Sequence, residues 1–85
     1  MTKTELEKRL MEIIEPYVED RSLLENASPQ TDLLRDLKVN SAHLVDIIID
    51  MEEAFDIAID DAAAEKMLTL GEAMAITEKL LAARD

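Results

Sequence analysis

Between Ala42 and Phe55 the apolar side chains return at the spacing of one helix face, and no other feature constrains the fold as tightly. At 100° per residue, Leu44, Ile48, Met51 and Phe55 fall on one narrow stripe, flanked by Val45 and Ile47. Asp46, Asp50 and Glu53 fall on the opposite side. Composition points the same way. The apolar 48% is Leu, Ile, Val, Met and Ala with only Tyr17 and Phe55 aromatic, and one Gly and two Pro are too few for a turn-rich β domain. The fold class is all-α. Eighty-five residues make a single domain, 1–85, with no room for a second core.

Further helices are marked by their caps. Thr4 and Glu7 form a capping-box pattern ahead of Leu6, Leu10, Ile13, Ile14 and Tyr17, which predicts a first helix from about Glu5. Pro16 interrupts it, because its ring clashes with the carbonyl of Glu12 and it has no N–H to donate. The helix either ends near Glu15 or kinks and continues to about Asp20. Residues 21–40 read as a long loop with Asn26, Ser28, Pro29 and Thr31 as turn chemistry, pinned to the core by Leu23, Leu24, Leu33, Leu34 and Leu37. Asn40 or Ser41 caps the second helix, and Asp60 or Asp61 caps a short third one through Lys66. Thr69 with Glu72 is a second capping box, followed by Leu70, Ala73, Met74, Thr77, Leu80 and Leu81 at helical spacing. Three main helices, one short helix and a long first loop result.

Charge excludes several functions. A formal net charge of −11 repels nucleic acid and anionic lipid surfaces and favours basic partners. Val39 to Glu65 contains no Lys or Arg. The absence of Cys removes disulfides, thiolate chemistry and Cys-based zinc sites, and fits a reducing cytoplasm. The first ten residues alternate in charge and lack the apolar stretch of a signal peptide, and Asp46 and Asp50 break the run around Ile47–Ile49, so no membrane span is expected. Asp56 to Asp60 has neither the ligand spacing nor the Gly of a calcium loop, so no dedicated metal site is expected.

Ser41 is the residue with chemical promise. As a hydrolytic nucleophile it needs a base, but the only His, His43, lies two residues away on the same helix and points elsewhere. A helix cap is the ordinary role of such a serine. The acidic side of the second helix is not purely polar, since Ala42 and Ile49 project between Asp46, Glu53 and Asp56. An apolar centre ringed by carboxylates has the makeup of a recognition patch. A Met- and Ile-rich interior with few aromatics is deformable enough to admit an alkyl chain, with Ile48, Met51, Phe55, Ile59, Met67 and Met74 as its candidate lining.

Asp36-Leu37-x-x-Asn40-Ser41, then Val45-Asp46, Glu52-Glu53-Ala54-Phe55-Asp56, Ile59-x-Asp61, Ala64-Glu65-Lys66 and Thr69-Leu70, resembles the acyl carrier proteins. The likeness runs along nearly the whole chain and is weakest from Met1 to Thr31. It implies a four-helix bundle whose serine, here Ser41, receives phosphopantetheine from coenzyme A through a phosphopantetheinyl transferase. It implies acyl groups carried as thioesters, and a non-enzyme that presents them to acyl-activating and acyl-transferring partners with basic docking patches. Asp46, Glu52 and Glu53 match the family's docking acids; Asn40, Ala42, Ile49 and Asp56 complete the candidate docking set. The chain is expected to act as a monomer.

Where the family usually has Gly-x-Asp-Ser-Leu, this chain has Lys38-Val39-Asn40-Ser41-Ala42. Those departures fit a dedicated lipid or secondary-metabolite pathway better than central fatty-acid synthesis. An aminoacyl, polyketide or nonribosomal-peptide carrier is the close alternative. An unmodified acidic helical docking module is the alternative of another class.

Overall fold

The computed structural model describes residues 2–84, with the backbone alone for Arg84. Its helices are α1 (Lys3–Ile14), α2 (Ser41–Phe55), α3 (Asp61–Glu65) and α4 (Leu70–Arg84), with α1 packed on both α2 and α4. Among the described residues there is no strand, and no helix is long and apolar enough to cross a membrane. The radius of gyration, 11.9 Å, is what a globule of this length should have.

The first cap differs from the sequence expectation. Thr2, not Thr4, begins α1: its Oγ1 accepts from the Glu5 N–H at 3.2 Å and donates to the Glu5 carboxylate at 3.1 Å. Two capping boxes overlap here, Thr2/Glu5 and Thr4/Glu7. The earlier box is the one that closes, and the Leu6 N–H makes the first helical bond to Thr2 O at 3.0 Å. Leu6, Leu10 and Ile14 form the buried face. At Pro16 the α-helix ends rather than kinks. Glu15–Tyr17 tighten into a 3₁₀ turn with proline in its opening positions, where a missing N–H is harmless.

Helix α2 confirms the expected element but not its orientation. Its buried residues are Ile47, Met51 and Phe55, with Leu44 and Ile48 half-buried beside them. The buried face is therefore rotated toward Ile47 by roughly 30° from the predicted stripe. Val45, expected to flank the core, is instead 57% exposed. Asp50, expected on the open side, is half-buried and accepts the Tyr17 hydroxyl at 2.6 Å. That bond sits at the edge of the helix facing the end of α1, so Tyr17 rotates the acid inward and Val45 outward.

The two remaining caps match expectation. Asp60 accepts from the Ala63 N–H at 2.8 Å to start α3. Thr69 and Glu72 close their box at 3.2 and 3.1 Å to start α4. Thr77, buried on α4, returns its hydroxyl to Ala73 O at 2.8 Å, so no donor is left unsatisfied there.

The segment between α1 and α2 is long but not structureless. Arg21–Leu24 form a 3₁₀ turn whose cap, Asp20, accepts from the Ser22 N–H at 3.0 Å. Ser28 and Thr31 close the next turn, with the Ser28 N–H on Thr31 Oγ1 at 2.8 Å. The chain then runs antiparallel to the entry of α4. The Leu33 N–H donates to Leu68 O at 2.9 Å, Leu70 to Thr31 O at 3.0 Å and Gly71 to Pro29 O at 2.8 Å. Of the predicted pins, Leu33 and Leu37 are fully buried, whereas Leu23, Leu24 and Leu34 are half-buried.

The sole glycine is needed for close approach. A Cβ built on Gly71 would lie 2.8 Å from Pro29 O, a backbone atom that cannot swing aside. Gly71→Ala poses two effects against each other. Alanine gains up to about 1 kcal/mol of helix propensity, while overpacking against backbone costs about 1–3 kcal/mol. We expect the clash to win, lowering the thermal midpoint by several degrees. Stabilisation by alanine would show that the 29–33 segment does not rest on α4 as described.

Candidate functional site

The approach to Ser41 is built by alternation. Leu37 and Val39 are buried, at 1% and 3% exposure, while Lys38 and Asn40 between and after them face outward. Asp36 supports this run from behind. Its carboxylate accepts from the Asp32 N–H at 2.8 Å, while Asp32 accepts from Leu34 at 2.9 Å and Arg35 at 2.8 Å. Those backbone bonds, the one from Arg35 foremost, hold the Asp32 carboxyl below the usual carboxylate range against the opposing effect of desolvation. The Val39 N–H donates to Leu33 O at 3.1 Å. Asp36 and Leu37 of the motif are thus structural, and they deliver the chain to the head of α2.

At that head, Asn40 is the cap. Its Oδ1 accepts from the Ala42 N–H at 2.8 Å and its backbone oxygen from His43 at 2.8 Å and Leu44 at 3.2 Å. Ser41 is the first helical residue and is exposed, so its hydroxyl stands outside the cap that would have been its ordinary role. Lys38 has φ 57°, in the left-handed region. A side chain there costs about 1–2 kcal/mol where glycine would not.

His43 turns toward the 3₁₀ turn that follows α1 instead of completing a dyad. Its ring centroid lies 5.5 Å from that of Tyr17, at 49°. Tyr17, the only tyrosine, has its pKa raised from 10.0 to about 12, chiefly by the hydrogen bond to Asp50, then by desolvation and the charges of Asp50 and Asp46. Because the folded pKa is raised, this contribution to stability is complete below the unfolded value. It is lost as pH climbs through about 10 to 12. A single tyrosine makes the test clean. Ultraviolet titration should give one phenolate transition near 12, falling toward 10 in Asp50→Asn, and a wild-type midpoint at 10 would contradict the bond.

The candidate docking residues separate into two groups. Asn40, Ala42, Asp46, Ile49, Glu53 and Asp56 are exposed, Ile49 at 45%. Val45, exposed four residues before Ile49, joins them; the i, i+4 spacing to Ile49 was the available signal. Glu52 behaves differently. Its Oε2 accepts from the Ile59 N–H at 2.8 Å, tying the end of α2 to the loop before α3. Asp56 ends α2 in the left-handed conformation, φ 53°, its N–H on Glu52 O. Arg9 sits 5.4 Å over the Phe55 ring and reaches Ala54 O at 3.5 Å, placing a cation at the C-terminal end of α2.

The candidate pocket residues form one cluster. Met51, Phe55, Met67 and Met74 are buried in the core, and Ile48 and Ile59 pack against it. Hollows open at the surface among the described residues, two of them beside α4. One, of about 310 Å³, lies between Lys3, Glu7, Pro29 and α4 and includes Met74. The other, of about 370 Å³, lies between α3 and α4 over Ala63, Ile76 and Leu80 and includes none of the candidate lining.

No family model matches the chain. It is similar to curated relatives from three bacteria, each called acyl carrier protein. Identity is 46% over 56 residues with that of Desulforapulum autotrophicum, covering 66% of this chain and 73% of the relative. It is 40% over 52 residues with that of Picosynechococcus sp., covering 61% and 64%. It is 41% over 49 residues with that of Thermotoga maritima, covering 58% and 60%.

Proposed function

The chain belongs to the acyl carrier protein family, and from that premise we propose that it carries acyl groups on phosphopantetheine attached at Ser41. Acyl carrier proteins are carriers rather than enzymes and bear phosphopantetheine covalently. The group supplies a thiol, absent from the chain itself, on which acyl groups are held as thioesters. The observation that carries the assignment is the exposed Ser41 on the first turn of α2, outside the cap that Asn40 provides. A serine so placed can form a phosphodiester without unravelling the helix.

The chain's own residues divide the remaining work. Leu37, Val39 and the bonds of Asp32 and Asp36 hold Ser41 at the head of α2. Ala42, Val45 and Ile49 present an apolar strip beside Asp46 and Glu53, suited to a partner with basic residues around an apolar notch. The carried chain enters the aliphatic interior by displacing the flexible side chains of Met51, Met67 and Met74. The Lys38, Asn40 and Ala42 departures favour a dedicated lipid or secondary-metabolite pathway, in the cytoplasm, with its own transferase.

Intact mass is the test of attachment. Coenzyme A and a permissive phosphopantetheinyl transferase should add one phosphopantetheine to the wild type and none to Ser41→Ala. Loss of the serine should barely affect stability, because Asn40 caps the helix. Mass gain on the alanine variant would overturn the assignment.

Docking is tested by binding kinetics against an acyl-activating partner. Asp46→Lys and Glu53→Lys should slow association and flatten its salt dependence. Ile49→Ala and Val45→Ala should speed dissociation. Glu52→Ala should act on the fold instead, lowering stability by about 1 kcal/mol through the lost bond to Ile59. Unchanged binding by the folded Asp46, Glu53 and Ile49 variants would make α2's acidic face mere solvated surface.

A further inference from the structure

The charge around Ser41 runs against the rest of the molecule. Of 20 acidic residues in the chain, none lies between Leu37 and Val45, a stretch that carries Lys38 and His43. Lys38 faces outward because Leu37 and Val39 are buried on either side of it. It also occupies a left-handed backbone position that glycine would fill without penalty, so its side chain is present despite the local conformation. Its charge is felt at Asp20, across the loop, as the least of the causes that lower that carboxyl's pKa, after the hydrogen bonds of Ser22. Asp20, however, is already bonded to the N–H and hydroxyl of Ser22 and has no structural need of Lys38.

A phosphodiester on Ser41 would place a fixed negative charge three residues from this lysine. Three residues span at most roughly 11 Å, within the combined reach of a four-carbon stem and a phosphorylated serine. Lysine serves phosphate as a point charge, needing no fixed fork geometry.

We propose that Lys38 is a positioning residue for the prosthetic arm: its ammonium pairs with the phosphodiester on Ser41 and holds the root of the arm on the loop side of α2. This rests on Ser41 being the attachment site. The distal arm stays mobile while its first bonds are restrained, which biases the directions from which the thiol is offered.

The test compares apo and modified forms of the whole chain, with modification verified by intact mass. Two readouts apply: the Lys38 ammonium resonance by NMR, and the change of thermal midpoint on modification at low and high salt. Modification should move the wild-type resonance. At about 0.01 M salt, the midpoint change on modification should be more positive in wild type than in Lys38→Gly by about 1–5 °C. Lys38→Arg should retain the difference, and about 1 M salt should abolish it. The glycine variant suits its backbone and should fold at least as well, and any background effect is common to its two forms. An unmoved resonance with equal midpoint changes, in protein whose mass shows the group attached, would overturn the role of Lys38 alone. Failure of the wild type to gain mass would instead remove the Ser41 assignment, and this inference with it.

Discussion

Three backbone hydrogen bonds between residues 29–33 and 68–71 hold the site together. They run from Leu33 to Leu68, Leu70 to Thr31 and Gly71 to Pro29, and they lay the long first connection against the entry of α4. Without them, the first N–H groups of α4 would need other partners and the connection would have to find its own. Leu33, at the centre of this contact, is wholly buried and also accepts the Val39 N–H. From there Leu37 and Val39 lead directly to Asn40. The position of Ser41 is thus set by a contact made with the far end of the chain, and the closeness of that contact is why residue 71 is glycine.

The carboxylates divide by use. Asp20 and Asp60 cap helical turns, Asp32 and Asp36 lock the loop, Glu52 holds Ile59 and Asp50 holds Tyr17. Asp46 and Glu53 remain exposed on α2, where Val45 and Ile49 break through the acidic surface. A net charge of −11 self-repels, which makes the internally bonded acids valuable: each fixed carboxylate receives a donor that offsets its neighbours. The stretch around Ser41 is spared this crowding.

Most of the helical architecture was legible in the sequence because helices are local. Periodicity and the Thr69/Glu72 box act within a few residues and placed α2 and α4, whereas local signals left Asp60 or Asp61 open as the cap of α3 and an ending or a kink open at Pro16, and the structure takes Asp60 and the ending. The cap of α1 went astray because two identical signals overlap, Thr2/Glu5 and Thr4/Glu7, and it is the first that closes. Long-range partners left no local trace. A helical wheel cannot show that Tyr17 will claim Asp50, turning Ile47 to the centre and Val45 out, nor that Glu52 will reach seven residues ahead to Ile59. The motif singled out Ser41 as the candidate, and the structure puts it exposed at the first position of α2. That Asn40 alone makes the cap was not legible, since both residues can.

Amide hydrogen exchange tests the dependence of the site on the loop-to-α4 contact most directly. Leu70 and Gly71 lie in the first turn of α4, where helix geometry alone gives their N–H groups no partner. If the contact is integral to the fold, the Leu33, Leu70 and Gly71 amides should open only with global unfolding, with the same free energy as Leu10 and Met51 inside α1 and α2. Rapid exchange at those three amides, while the helix interiors stay protected, would mean that the loop lies loosely on the bundle and that Ser41 is positioned by α2 alone.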